Sequence, residues 1–221
     1  MDLDLTDKNI LIVGGGDQGS KKVRSLLNYK CNITIISKGF NRDILNKEKL
    51  SRLKIIYKDL DNINILEEFR NFFIIFATTN NKDLNDKIIK WAKDAKILSY
   101  STDNPEKSDF SLLSIINIEE IIQIAVSTSG KSPIMNKIIK GKIENPIKNI
   151  IGKHYIDNIK IQEFARLWAK KYIENPKERK DFLYSLINNS EIQKLVDEDK
   201  IDIAKERIIN ITGKLEDNKG R

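Results

Sequence analysis

Residues 9–28 read NILIVGGGDQGSKKVRSLLN, and the order of residue types in that stretch decides the fold. Asn9 to Val13 form a short apolar run without polar alternation, which predicts a strand buried on both faces. Three glycines end it at once. Val23, Leu26 and Leu27 then recur at helical spacing. Strand, glycine turn and helix in immediate succession open a βαβ unit, and Gly14, Gly16 and Gly19 spell G-x-G-x-x-G across the turn. The chemistry asks for glycine at each place. Gly14 permits the tight turn, Gly16 lets the backbone approach a pyrophosphate, and Gly19 allows the helix to pack closely on the strand. The free N–H groups of the helix start would then face the phosphates.

Working outward, the same alternation continues. Asn32 to Ser37, Ile55 to Tyr57, Phe72 to Ala77 and Ile97 to Ser101 read as further strands, and Leu84, Ile88, Trp91, Ala92 and Ala95 as one helix face. Repeated strand–helix alternation predicts an α/β parallel sheet covered on both sides. Ligands of such sheets bind beyond the carboxyl ends of the strands. That rule places Ser37, Lys38, Gly39, Thr78 and Thr79 at a dinucleotide, the two threonines also being able to cap the following helix. An NAD site commonly has an acid at the end of its second strand, to hold the ribose. Here the strand ends Ser37-Lys38-Gly39, so NAD and NADP both stay open, with Lys38 able to meet a 2′-phosphate.

After Pro105 the pattern changes. Phe110 to Ile116 and Ile121 to Ser127 read as two strands joined by a polar turn, and Pro133 suits the first turn of a helix. From Pro146 on only helices are expected. Pro176 should break one helix and open the next, Ser190 with Gln193 resembles a capping box, Gly213 is placed to end the last helix, and LEDNKGR reads as a frayed tail. Asp103, just past the fifth strand, falls at the ligand edge. Ser127-Thr128-Ser129-Gly130-Lys131-Ser132 offers hydroxyls, N–H groups and an ammonium to an anion, or simply a helix start capped by Ser132.

The chain has 221 residues and a formal net charge of +7, which favours anionic partners. The basic residues are interspersed with acids, without a confined basic block or zinc-finger spacing, so nucleic acid is not an expected partner. No apolar run approaches the roughly 18 residues of a membrane span, and the polar start MDLDLTDKN does not read as a secretory signal. The lone Cys31 excludes an intrachain disulfide and reads as a small buried residue. A soluble cytoplasmic protein is expected. His154, the only histidine, reads as an ordinary helix residue, and no metal site is expected. Phe164, Leu167, Trp168 and Tyr172 read as core or dimer contacts.

Taken together, IVGGGDQGSKKVRSLL, ATTNNKDLN, TDNPEKSDF and AVSTSGKSPIMNKII, in that order, resemble the dehydrogenase/ferrochelatase part of siroheme synthases, including stand-alone precorrin-2 dehydrogenases. The resemblance covers residues 9 to about 143, and the STSGKSP segment is its most specific piece. It implies an NAD-binding Rossmann domain over residues 1–113, a central dimerisation region over 114–145 and a helical C-terminal domain over 146–221. It implies oxidation of precorrin-2 to sirohydrochlorin with NAD, in a homodimer, some members also inserting ferrous iron to give siroheme. On this resemblance Asp103 falls on the catalytic aspartate. Asp17, Gln18, Lys38 and Gly39 fall on NAD contacts, and Ser127 and Thr128 in the substrate segment, to which Ser129 and Lys131 are added as tetrapyrrole-binding candidates. Tyr100 and Ser129 depart from the family, which often has Asn and Gly there. No stretch resembles the methyltransferase part of fused siroheme synthases. As a proton acceptor, Asp103 would gain from an apolar tetrapyrrole pocket that raised its pKa. The alternative reading is a dinucleotide-sensing regulatory module, which would use the glycine loop without needing a base.

Overall fold

The computed structural model describes residues 3–47, 50–60 and 63–217. It divides into two compact units, Met1–Leu112 and Leu113–Arg221. The first contains five parallel strands, β1 (Asn9–Val13), β2 (Asn32–Ser37), β3 (Leu53–Tyr57), β4 (Ile74–Ala77) and β5 (Leu98–Ser101), in the order β3-β2-β1-β4-β5. The chain runs outward from β1 to β3, then crosses to the other side of β1 for β4 and β5. The reversal between β1 and β4 is where doubly wound sheets open a crevice.

Alternation of side chains sorts the apolar residues onto two faces. Leu11, Val13, Ile75 and Ala77 pack with Ile88 and Ala92 of α3 (Lys82–Asp94). Ile10, Ile12, Ile35 and Phe76 pack with Val23 and Leu26 of α1 (Asp17–Leu26). Burial on both sides is why β1 and β4 carry no polar alternation. A short α2 (Arg42–Leu45) follows β2. Cys31 is buried, its thiol 3.5 Å from the Leu26 carbonyl.

The second unit begins with an antiparallel hairpin, β6 (Ser114–Ile118) and β7 (Ile122–Val126). Its turn holds Glu119 and Glu120 at φ 48° and 58°, and the Asn117 side chain accepts the Glu120 N–H at 3.0 Å. The expected strand start at Phe110 is not found. Phe110 instead packs on Phe76 and Tyr100, ring centroids 5.9 and 5.7 Å away, in the core of the first unit.

Five helices follow: α4 (Pro133–Ile150), α5 (Lys153–Tyr172), α6 (Pro176–Ile187), α7 (Ser190–Asp197) and α8 (Ile201–Asp217). Ile161, Ala165 and Ala169 of α5 form a core with Phe182, Leu186, Ile192, Val196, Ala204 and Ile208. Pro176 opens α6 behind an Asn175 cap, as its position suggests. α4 runs through Pro146. Two local expectations differ. α8 runs through Gly213 to Asp217. The cap of α7 is Asn189, whose side chain accepts the Ile192 N–H at 3.1 Å, in place of Ser190. Of the expected tail, residues 218–221 lie outside the described residues.

Candidate functional site

The glycine loop is tied down on every side. Gly14 N–H donates to the Ile36 carbonyl and Asn41 N–H to the Gly15 carbonyl, both at 2.9 Å. The Thr78 hydroxyl donates to the Val13 carbonyl at 2.9 Å, with the Gly14 carbonyl 3.2 Å away. β1, β2 and β4 therefore jointly fix one turn. A cavity of about 510 Å³ opens above it, lined by Gly14, Gly15, Gly16, Ser37, Lys38, Gly39, Thr78 and Thr79, with Lys58, Asp59 and Asn81 among its other walls. That size suits a small-molecule ligand.

Whether a dinucleotide fits is decided at the glycines. A Cβ on Gly14 would meet the Thr78 carbonyl carbon at 2.7 Å, and one on Gly19 the Gly14 carbonyl oxygen at 1.9 Å. Those two glycines serve the packing of the turn and helix. A Cβ on Gly16 would meet nothing within 4 Å. Gly16 lines the cavity, so its missing side chain leaves space on the ligand side. α1 begins on Gly16 with no side-chain cap, whereas α3 is capped by Asn81. An open cradle ending on an uncapped helix start is what a pyrophosphate requires.

Eight of the ten sequence-chosen cofactor residues meet here: Gly14, Gly16, Ser37, Lys38, Gly39, Thr78 and Thr79 line the cavity, and Gly19 backs the turn. Asp17 and Gln18 are exposed in the first turn of α1 and are not among the lining residues, Asp17 lying 3.5 Å from the Asn41 amide. Neither threonine caps the helix, since Asn81 accepts the Leu84 N–H at 3.1 Å. The Thr79 hydroxyl donates to Asn85 Oδ1 at 2.7 Å.

Asn85 is fully buried on α3 and extends the site toward Asp103. Its amide donates to the Thr79 carbonyl at 3.0 Å and to Asp103 Oδ1 at 3.1 Å. Ser101, at the end of β5, donates its hydroxyl to the same carboxylate oxygen at 2.6 Å. Burial alone pushes the Asp103 carboxyl up, but the Ser101 hydroxyl, its own backbone N–H, the Asn85 amide and the charge of Lys82 together hold it below the usual carboxylate range. In the chain itself the direction is thus opposite to the one expected under a bound ring. Asp103 is ionised at neutral pH and oriented by two donors. Asn85 escaped the sequence reading, although a polar residue in register with the buried Ile88 and Ala92 was a visible signal. Asp109 is held at β5, its carboxylate accepting from the Ser99 N–H and hydroxyl at 2.8 and 2.7 Å. Tyr100 packs against Phe76 and Phe110, which also touch each other, under the Lys22 ammonium and outside the cavity lining.

The hydroxyl run lies in the second unit. Ser132 caps α4 by accepting the Met135 N–H at 3.2 Å. The Thr128 hydroxyl donates to the Ser132 carbonyl at 3.1 Å and Ser127 Oγ accepts the Ser129 N–H at 3.0 Å. Ser129 and Gly130 take left-handed φ values of 51° and 76°, so the glycine common in the family at 129 would sit there with less strain. Ser127, Ser129 and Lys131 are exposed.

Among the described residues no group of three or more His, Cys, Asp and Glu is placed to hold a metal. His154 bonds to Asp197 at 2.6 Å on the helical unit. Among the described residues no helix is long and apolar enough to cross a membrane.

Residues 1–114 match a family model described as "Putative NAD(P)-binding", and residues 122–145 one described as "Sirohaem biosynthesis protein central". The siroheme synthase of Buchnera aphidicola subsp. Acyrthosiphon pisum is 28% identical over 96% of the chain and 44% of that protein. A "Putative precorrin-2 dehydrogenase" of Methanocaldococcus jannaschii is 26% identical over 88% of the chain and 94% of that protein. The solved structure of SirC, a precorrin-2 dehydrogenase, superposes with a TM-score of 0.66 at 18% identity, covering 97% of this chain and 98% of that one. The chain spans less than half the length of the siroheme synthases it matches first.

Proposed function

We propose that this chain, which belongs to the family of putative NAD(P)-binding proteins whose model spans residues 1–114, oxidises precorrin-2 to sirohydrochlorin with NAD. The observation that carries the reading is the hydrogen-bonded link from the cavity wall at Thr79 through Asn85 to the Asp103 carboxylate. A carboxylate so tied to a dinucleotide cradle suits an oxidation that removes a proton along with a hydride.

The reaction removes two hydrogens. Bound nicotinamide supplies the acceptor for the hydride and its electron pair. The proton passes to a carboxylate oxygen of Asp103, oriented by Ser101 and Asn85, and then to water. Gly14, Gly16, Gly19, Ser37, Lys38, Gly39, Thr78 and Thr79 hold the cofactor, with Asp17 and Gln18 at the helix start beside it. Ser127, Thr128, Ser129 and Lys131 take the carboxylates of the tetrapyrrole through hydroxyls, N–H groups and charge.

The parts of this proposal are a cofactor region over 1–113, a dimerisation region over 114–145 and a helical region over 146–221. Support for a homodimer comes from α4, which buries no residue and exposes Ile134, Met135, Ile138 and Ile139. The mass of the protein in solution tests this, and a monomer at micromolar concentration would remove it. A cytoplasmic location completes the reading, supported by the single unpaired cysteine and tested by cell fractionation.

The decisive assay mixes the purified chain with precorrin-2 and NAD and follows absorbance. Sirohydrochlorin should form together with NADH, one for one. Tight NAD binding without turnover would favour the sensing module instead. Ferrous iron added to the product then tests the family's second activity, insertion to give siroheme.

A further inference from the structure

The cavity contains an acid that takes up the gap left at the end of β2. β2 and β3 pair in parallel with Ser37 opposite Tyr57, and Lys58 N–H donates to the Ser37 carbonyl at 3.0 Å. The residues that leave the two strands therefore arrive at one rim. There the Lys38 ammonium and the Asp59 carboxylate form an ion pair at 2.8 Å, and both residues line the cavity of the glycine loop.

We propose that Asp59, reaching in from the end of β3, is the ribose-binding acid of this pocket, and that its pairing with Lys38 makes the pocket select NAD over NADP. The inference rests on the dinucleotide reading of the cavity. A ribose hydroxyl donates to a carboxylate, so Asp59 serves the unphosphorylated cofactor as an acid at the end of β2 would. A 2′-phosphate brings acceptors and negative charge only. It meets a carboxylate it cannot bond, and it gains Lys38 only by taking that ammonium from its partner. Lys38 without Asp59 would point the other way, toward NADP. The pair is half exposed, 64% and 50% at the two side chains, so its own contribution to stability is small. Its effect is on which ligand is left with an uncompensated charge.

Calorimetric titration of the full chain with NAD and with NADP, at one fixed salt concentration, tests this. The unmodified protein should prefer NAD. Asp59→Asn keeps the side-chain shape and removes the charge. It should weaken NAD about tenfold, the low end for a hydrogen bond to a charged group, and tighten NADP, so that the ratio of the two dissociation constants moves at least tenfold toward NADP. Lys38→Ala added to Asp59→Asn should abolish the gain in NADP affinity. An unchanged ratio in Asp59→Asn, a preference of the unmodified chain for NADP, or an NADP gain that survives in the double variant would each overturn the assignment. A chain that binds neither dinucleotide overturns the reading of the cavity itself, a distinguishable failure.

Discussion

Replacing Asp103 by Ala is expected to lower turnover of precorrin-2 by about a hundredfold to ten-thousandfold, the range of a lost general base, while the dissociation constant for NAD stays within about twofold of the parent, as expected for a group that makes only transition-state contacts. The separation follows from position. Asp103 is not among the residues lining the dinucleotide cavity, and Asn85 joins it to that cavity. Asp103→Asn sharpens the test, because an amide keeps the size and accepts the same hydrogen bonds but cannot take a proton. If Asn restored most of the rate, Asp103 would be a positioning group and the proton would have to leave by another route. A companion variant reads the carboxylate's titration directly. The Ser101 hydroxyl helps hold the Asp103 carboxyl below its usual range, so Ser101→Ala destabilises the ionised form and raises its pKa. The base must be unprotonated to act, so the acid limb of the kcat/KM profile should move to higher pH, with the rate near pH 8 little changed. An acid limb that stays in place in Ser101→Ala would separate that titration from Asp103.

The parts of the fold that are legible in the sequence are those where burial leaves no choice. β1 ends at Val13, where its apolar run ends, because both faces of the strand are covered. Phe110 shows what such runs leave open. It is as apolar as a strand residue, but a run does not say which core it enters, and Phe110 enters the one containing Phe76. Gly213 fails as a stop signal, and Pro146 sits inside α4, for a similar reason. Ile143 and Ile147 pack together against Ile116, Ile118 and Ile156, so the apolar face of α4 continues past the proline and outweighs one lost backbone hydrogen bond. An isolated glycine in a helix costs about 1 kcal/mol relative to alanine, too little to end α8.

The site divides along the same line. The glycine loop is legible because backbone clearance constrains residue type at fixed spacing. Asn85 and Asp59 are not, because each acquires its role from strand order. Ser101 reaches Asp103 locally, two residues along the chain, but Asn85 reaches it because β5 lies beside β4 and α3 follows β4. Asp59 reaches the rim because β3 lies beside β2.

Gly19→Ala and Gly16→Ala are expected to fail in different ways, although both disturb one motif. At Gly19 the new Cβ would stand 1.9 Å from the Gly14 carbonyl oxygen, backbone that Thr78 and the Ile36 carbonyl hold in place. α1 must move away from β1, against the packing of Val23 and Leu26 on Ile10 and Ile12. Overpacking of that kind costs about 1–3 kcal/mol, so the melting temperature should fall and cofactor affinity with it. At Gly16 the backbone is extended, φ −80° and ψ −161°, and the Cβ would meet nothing within 4 Å. Folding should lose no more than about 1 kcal/mol, the difference between glycine and alanine as a helix N-cap. The methyl instead enters the space a pyrophosphate would occupy over the uncapped helix start. Displacing charge-assisted hydrogen bonds there should weaken NAD about tenfold to a hundredfold. Thermal melts without ligand, paired with NAD titrations, separate the two classes. Gly16→Ala binding NAD as the parent does would mean that the phosphates lie elsewhere. The cavity would then be a gap beside a structural turn, with its floor shaped for packing alone.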